Sequence, residues 1–203
     1  MRFKKFNHII IFCVVFQCVT TAGVSQNVDI DILRSLNPEN PQAAFWKGVS
    51  SSYLWVSGTA TFGTLAYGLI KKDTQMQHNA AETILALGID VVATEVLKRV
   101  VNRTRPQYDY PNDVYVISTT QGQSFPSGHT SVAFATATSF SLQYKKWYVV
   151  VPAYLWAGCV GYSRMYLGKH YPSDVLGGAL VGAGSSLLSH WLNKKYFRKN
   201  KGL

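Results

Sequence analysis

The sequence predicts an all-α protein, a helical bundle with about five transmembrane helices after an N-terminal signal. Five apolar segments follow one another between residues 48 and 193, and each is rich in Gly, Ala, Ser and Thr, as closely packed membrane helices are. Basic clusters follow the first, third and fifth segments, which is expected if those three ends lie on the cytoplasmic side of a membrane. A chain of 203 residues is typical of one domain.

Composition alone fits both a membrane protein and a soluble helical domain. The chain is 47% hydrophobic and 15% charged, below the roughly 25% charged residues of soluble domains, yet its mean hydropathy of +0.03 is low for a membrane protein. A net charge of +10 suggests a nucleic-acid binder, but the basic residues cluster at the ends of the apolar segments, so nucleic acid is not a predicted partner. The cysteines form no Cys-x-x-Cys or His/Cys cluster, so neither a zinc site nor a disulfide framework is predicted. They are Cys13, Cys18 and Cys159.

Residues 1–22 are predicted to be a secretory signal peptide. Three basic residues within the first five positions precede an apolar run from Ile9 to Val19, and small residues up to Ala22 suit cleavage. An uncleaved signal anchor of the same orientation is the alternative, because the apolar run is short for a spanning helix. Either form exports the rest of the chain.

Residues 23–47 form a polar segment that we expect on the periplasmic side. Ile30, Leu33 and Leu36 recur at helical spacing, so the segment predicts a short amphipathic helix. Two Asn-Pro pairs then predict a turn before the first apolar segment.

The apolar segments predict five helices that alternate in direction. With residue 23 outside, five successive spans place Lys71–Lys72, Lys145–Lys146 and the basic tail at residues 194–203 in the cytoplasm. The alternative, soluble core helices with solvated lysine corners, stays open because some segments are shorter or more polar than a span of about 20 apolar residues. The predicted segments are residues 48–70, 79–99, 128–143, 147–163 and 174–193.

Both connections predicted to face outward carry groups suited to an anion. Lys98 and Arg105 are both expected at the outward end of the second apolar segment. The compact ammonium charge of lysine and the planar guanidinium of arginine together suit a tetrahedral oxyanion such as phosphate. Pro106 is predicted to stop the helix just after Arg105. The alternative is a basic helix end that complements the helix dipole.

Residues Pro126-Ser127-Gly128-His129 open the third apolar segment. Pro126 favours a turn, Ser127 is a candidate N-cap, and Gly128 lets backbone N–H groups approach an anion at a helix N-terminus. His129 then projects from the first turn. A serine cap beside an incidental histidine is the alternative.

The second outward connection, Ser163 to Asp174, contains Arg164, His170 and Asp174 between two apolar segments. If the chain is helical there, His170 and Asp174 lie on one face, where the carboxylate fixes the tautomer and leaves the other ring nitrogen free to attack. The alternative is a loop salt bridge, with Ser173 or Asp174 as the cap of the last helix.

The three motifs, in this order and at these spacings, resemble the type 2 phosphatidic acid phosphatase superfamily. That superfamily includes lipid phosphate phosphatases, bacterial non-specific acid phosphatases and vanadium haloperoxidases. The resemblance rests on Lys98–Pro106, Pro126–His129 and Ser163–Asp174, and it covers about residues 79–190. It implies the helical core of acid phosphatases and haloperoxidases across residues 48–193.

The resemblance also implies the roles of the site residues. His170 attacks phosphorus and forms a phosphohistidine, Asp174 orients His170, and His129 protonates the leaving oxygen and then activates water. No metal or other cofactor is implied, because the cations stabilise the phosphoryl charge themselves. The groups that bind the phosphate oxygens are Lys98, Arg105, Arg164, Ser127 and Gly128.

The function implied is a metal-independent phosphohydrolase of the bacterial inner membrane, with its site facing the periplasm. Its expected partners are the membrane and a lipid phosphate or pyrophosphate, and no obligate protein partner is evident. Candidate substrates by resemblance are undecaprenyl pyrophosphate, phosphatidylglycerophosphate, phosphatidic acid and lipid A. The alternatives are a soluble periplasmic acid phosphatase, a vanadate-dependent haloperoxidase and a scaffold with a relic site.

Overall fold

The computed structural model describes the backbone of residues 22–198 and the side chains of residues 28–196, and the regular elements in that part of the chain are all helical. The predicted signal peptide up to residue 21, with Cys13 and Cys18, and the tail beyond residue 198 lie outside the described residues. A π-helical turn, Asn193–Arg198, extends the last helix. The α-helices are α1 Ala22–Leu36, α2 Ala44–Ile70, α3 Thr74–Val101, α4 Pro106–Asp109, α5 Gly128–Tyr144, α6 Trp147–Tyr166 and α7 Pro172–Leu192.

The all-α prediction is confirmed, and the five long helices α2, α3, α5, α6 and α7 coincide with the predicted apolar segments to within a few residues. The number of membrane spans stays a prediction. Within the described residues, one helix, Pro172–Tyr196, is both long enough and apolar enough to count as a candidate span. The other long helices are more polar: α3 carries Glu82, Asp90 and Glu95, and α5 is rich in serine and threonine.

The helices alternate in direction, so their connections fall at two opposite ends of the bundle. At one end the start of α3 meets the end of α5, where the Tyr144 hydroxyl lies 3.4 Å from Met76 Sδ and Gln143 donates to the Asn79 carbonyl. Residues 102–127 and 167–171 therefore share the other end. This opposite end, which we call the outer end, holds all three motifs.

Small residues let α7 lie directly against α5 at the outer end. A Cβ atom at Gly178 would come within 2.5 Å of the Ser127 carbonyl oxygen, and one at Gly182 would collide with the backbone at Ser131. The close approach lets the Ser127 N–H donate to the Asp174 carbonyl oxygen at 2.9 Å. Packing of α5 on α7 thus joins the second motif to the third.

The end of α3 differs from the sequence-based prediction. The helix stops at Val101, because Asn102 adopts a left-handed conformation with φ 47° and its N–H caps the Lys98 carbonyl. Pro106 does not end this helix. It is instead the first residue of α4, where a fixed φ and a missing N–H cost least.

Candidate active site

His170 lies in the short connection between α6 and α7 and is 2% exposed. Helix α7 begins at Pro172 and Tyr171 occupies the N-cap position, so the alternative with Ser173 or Asp174 as the cap is wrong. The predicted shared helical face is also wrong, because His170 precedes the helix. Asp174 instead reaches back from the first turn and accepts the Tyr171 N–H at 2.9 Å.

The tautomer of His170 follows from its neighbours. Arg105 Nη1 lies 3.2 Å from His170 Nε2, and because a guanidinium can only donate, Nε2 must accept with its lone pair. The proton of the neutral ring is then on Nδ1, which lies 3.5 Å from Asp174 Oδ2. That separation is too long for a good hydrogen bond, and Nδ1 has no other partner within the described residues. His170 and Asp174, the pair predicted from sequence, therefore face each other without forming a hydrogen bond.

Asp174 is fully buried and is fixed by two residues that were not predicted for the site. Ser124 Oγ donates to its Oδ2 at 2.5 Å, and Arg103 Nη1 donates to its Oδ1 at 3.0 Å. These donors hold the carboxylate in its charged form beside His170.

Two predicted cations, Arg105 and Lys98, are held by backbone carbonyls of the loop before α5. Arg105 Nε donates to the Gly122 carbonyl at 3.0 Å, and Lys98 Nζ donates to the Gln123 carbonyl at 2.9 Å. Neither forms a salt bridge with a carboxylate among the residues that the structure describes. Their charge is therefore left for an anion.

The third predicted cation, Arg164, is held by α2. Its Nη1 donates to Ser50 Oγ at 2.5 Å, while its buried Nε has no hydrogen-bond partner in the described part of the chain. A buried guanidinium N–H without an acceptor is costly, so this donor is well suited to bind an anion oxygen.

The start of α5 presents further donors. Ser127 occupies the N-cap position as predicted, but its side chain makes no capping bond. Its Oγ accepts from Thr130 Oγ1 at 2.9 Å, which leaves the Ser127 hydroxyl proton free to donate. A Cβ at Gly128 would meet only a methyl group of Thr94 at 3.9 Å, so packing alone does not require glycine there. The open backbone is consistent with the predicted anion contact.

His129 stacks against Tyr53 of α2, with ring centroids 3.9 Å apart and an interplanar angle of 35°. His129 lies close enough to Arg164 and Arg105 for their positive charges to act on its ring, which places it beside the same group of residues. The structure thus brings together every residue predicted for the site. They are Lys98, Arg105, Ser127, Gly128, His129, Arg164, His170 and Asp174.

Sequence reasoning missed several residues of this site. Arg103 and Ser124 sit within or beside the predicted motifs, and Lys169 directly precedes His170, so proximity in sequence was the only available signal. Burial lowers the pKa of Lys169 to about 8, and its ammonium donates to the Ser118 carbonyl. Glu95, one turn before Lys98, pairs with exposed Arg99 at 2.8 Å.

Sequence comparison identifies the family. A family described as the PAP2 superfamily matches residues 79–198. An undecaprenyl-diphosphatase of Sulfolobus acidocaldarius is 27% identical over 189 residues, covering 89% of this chain and 87% of the relative. A lipid A 1-phosphatase of Porphyromonas gingivalis is 43% identical over 86 residues, which cover 41% of this chain and only 19% of that longer relative.

Structural comparison agrees on the fold. The crystal structure of a transmembrane PAP2-type phosphatidylglycerolphosphate phosphatase from Bacillus subtilis superposes with a TM-score of 0.66. The two chains are 23% identical, and the superposition covers 93% of this chain and 97% of the other. The segment matched to the family makes up more than half of the sequence and contains all three motifs, so the chain belongs to the PAP2 superfamily.

Proposed function

We propose that this phosphatase removes phosphate from a lipid phosphate or lipid diphosphate at the periplasmic face of the membrane, through a phosphohistidine intermediate. The observation that carries the proposal is the position of His170 Nε2. Its lone pair points to Arg105 at 3.2 Å, and Arg164 and Lys98, which lack carboxylate partners among the described residues, complete the cationic surroundings. A phosphoryl group bound by these cations would lie in front of the attacking nitrogen.

In the first step His170 Nε2 attacks phosphorus while the bond to the leaving oxygen breaks. Arg105, whose Nη1 donates to Nε2 in this structure, would redirect that hydrogen bond to a phosphate oxygen, which frees the lone pair of Nε2. His129 would give its proton to the leaving oxygen. Asp174 would stabilise the positive charge that forms on the imidazole, because Oδ2 lies 3.5 Å from Nδ1.

In the second step water attacks the phosphohistidine. His129, now neutral, would accept a proton from the water as the N–P bond breaks, which returns both histidines to their initial states and releases inorganic phosphate. The cations would hold the same non-bridging oxygens throughout. Phosphoryl transfer depends mainly on such positioning and charge stabilisation, so the proposal needs no metal ion.

The distribution of side chains supports a membrane location. The bundle interior is lined largely by small residues, including buried Thr61, Thr136, Ser139 and Ser186. Large apolar side chains instead point outward, which is the reverse of a soluble domain and suits contact with lipid. Among the most exposed are Trp55, Phe62, Ile70, Leu155, Leu176 and Leu180.

The charges support the proposed orientation. Lys71–Lys72, Lys145–Lys146 and Lys194–Lys195 all follow helices at the end of the bundle opposite the candidate site. Short basic connections favour the cytoplasm. The candidate site, between residues 102–127 and 167–171, would then face the periplasm.

The experiment that tests the function is phosphate release by the purified protein from a panel of substrates. The panel contains phosphatidic acid, phosphatidylglycerophosphate, undecaprenyl pyrophosphate, lipid A and the water-soluble ester p-nitrophenyl phosphate. We expect turnover of at least one lipid substrate, and extraction of the protein from membranes only with detergent. Preference for the soluble ester together with detergent-free release would support the soluble acid phosphatase instead.

The pH dependence should reflect the environment of His170. Burial lowers the pKa of His170 to about 4, with Asp174 opposing the shift and Arg164 and Arg105 adding to it. The ring is therefore neutral above that pH and loses its nucleophilic lone pair below it. After correction for the ionisation of the substrate, kcat/KM should fall as the pH drops through about 4. An acid limb above the ordinary histidine pKa of about 6.5 would contradict a buried, neutral His170 as the nucleophile.

A further inference from the structure

Helix α1 lies outside the segment matched to the family, yet it packs onto the outer end of the bundle. Ile30 and Leu33 are buried against Val114 and Tyr171, next to the connection that carries His170. The same face of α1 also buries Asp29, which is only 5% exposed. A buried carboxylate needs partners, and those of Asp29 lie in the candidate site.

Asp29 is bound to Arg103, which contacts the third motif, and to Ser173, which belongs to that motif. Arg103 Nη2 donates to Asp29 Oδ2 at 2.9 Å, and the Ser173 N–H donates to Asp29 Oδ1 at 3.0 Å. The Ser173 hydroxyl also donates to Asp29. These contacts join α1 to the start of α7.

Arg103 connects the two buried carboxylates. Its Nη2 binds Asp29, while its Nη1 binds Asp174 Oδ1 at 3.0 Å. The guanidinium lies 3.9 Å from the centre of the Tyr171 ring, which fixes its plane. A continuous series of contacts therefore runs from Asp29 through Arg103 to Asp174 and on to His170.

We propose that Asp29 is a positioning residue for the nucleophile, which holds Arg103 between two carboxylates so that Asp174 stays oriented toward His170. The inference rests on the proposed function, because it assumes that His170 is the nucleophile. It gives α1 a role in catalysis, although this helix lies outside residues 79–198, the segment matched to the family.

The physical reason is that Asp29 and Asp174 compete for the guanidinium of Arg103. With Asp29 present, the charge of Arg103 is shared between two carboxylates. Without Asp29, Arg103 would bind Asp174 more strongly, because its positive charge would then act on one carboxylate instead of two. The carboxylate would then turn from Nδ1, which it faces at 3.5 Å, and the imidazole would lose its orienting partner.

Binding of phosphate should be unaffected, because Asp29 forms no hydrogen bond or salt bridge with Lys98, Arg105 or Arg164 in the described structure. This separates a positioning role from a binding role. Loss of Asp29 should lower kcat and leave the affinity for inorganic phosphate intact.

The test compares Asp29→Asn with Asp31→Asn. Both substitutions remove one charge from α1, but Asp31 is exposed and its salt bridge in the described part of the chain is with Arg34 at 3.1 Å. On the panel substrate with the fastest turnover, Asp29→Asn should lower kcat by about 10- to 100-fold, by analogy with residues that orient the ligands of metal sites. The inhibition constant of inorganic phosphate should change less than about 2-fold. Asp31→Asn should match the wild type in both measurements.

A structural role for Asp29 is tested with Leu33→Ala, which weakens the packing of α1 without touching Arg103. Rates are measured on monodisperse protein well below each melting temperature. If Leu33→Ala lowers kcat as much as Asp29→Asn at an equal loss of thermal stability, Asp29 serves only the fold and the inference is overturned. If only Asp29→Asn lowers kcat, the positioning role stands.

His170→Ala distinguishes failure of the inference from failure of the proposed function. An active His170→Ala protein overturns both. An inactive His170→Ala protein beside a fully active Asp29→Asn protein overturns only the role of Asp29.

Discussion

Replacing His170 with alanine is expected to reduce turnover by on the order of 10⁴-fold or more, since the group that forms the covalent bond to phosphorus would be missing. Among the described residues, His170 is the histidine with a nitrogen 3.2 Å from Arg105. The other histidine of the site, His129, is proposed to serve as the acid and base and is not expected to replace the nucleophile. The fold should survive, because Arg105 still donates to the Lys169 carbonyl at 3.0 Å and holds the connection in place. Initial rates on the panel substrate with the fastest turnover measure the effect.

The matched control is His78→Ala, at the start of α3 and at the opposite end of the bundle. It removes the same side chain from a position far from the motifs and should leave the rate unchanged. Normal activity in His170→Ala would falsify the nucleophile assignment. Incubation with radiolabelled substrate adds a second readout, because a phosphorylated protein should form in the wild type and not in His170→Ala.

The helices were predictable because their boundaries are encoded locally. Helix α5 begins at Gly128, where Pro126 and Ser127 predict a turn and an N-cap position, and it ends before a lysine pair. Helix α2 begins at Ala44, four residues before the predicted start, and so includes Phe45 and Trp46. The Trp46 ring packs on the Tyr162 ring, with centroids 4.6 Å apart. That contact joins residues far apart in sequence, so a local pattern could not reveal it.

The site residues were predictable one by one, but their partners were not. The motifs place Arg105 and His170 in separate connections, and only the fold brings Nη1 to Nε2. Arg103 is a similar case. The left-handed conformation of Asn102 changes the direction of the chain just before Arg103. The partner of Arg103, Asp174, is 71 residues away in sequence. Sequence spacing suggested a simple His170–Asp174 pair. The structure shows that Asp174 is shared among several donors.

Helix α1 marks the limit of the sequence pattern most clearly. Ile30 and Leu33 predicted an amphipathic helix, and both side chains are buried as that pattern requires. Asp29 stands beside them in sequence, where a carboxylate would ordinarily belong to the solvated face. Its burial follows from Arg103, in the connection after α3, and from Ser173, in the first turn of α7, both far from Asp29 in sequence.

Replacing His129 with alanine should have the second largest effect, and its size should depend on the leaving group. General acid catalysis contributes about 10²- to 10⁴-fold, and it matters most when the leaving oxygen is a strongly basic alkoxide. A lipid alcohol needs a proton as it leaves, whereas nitrophenolate departs readily without one. Phosphoryl transfer to His170 should therefore slow far more for a lipid monophosphate than for p-nitrophenyl phosphate.

Pre-steady-state kinetics separate the two steps that His129 is proposed to serve. With p-nitrophenyl phosphate, His129→Ala should release about one nitrophenolate per active site in a rapid burst and then turn over slowly, because attack of water on the phosphohistidine also lacks its base. Inhibition by inorganic phosphate should persist, since the cations Lys98, Arg105 and Arg164 are unchanged. A substitution that merely disturbed the stacking of residue 129 on Tyr53 would slow the burst and the later turnover alike for every substrate. Equal first-step losses for the lipid and the nitrophenyl ester would therefore exclude His129 as the general acid.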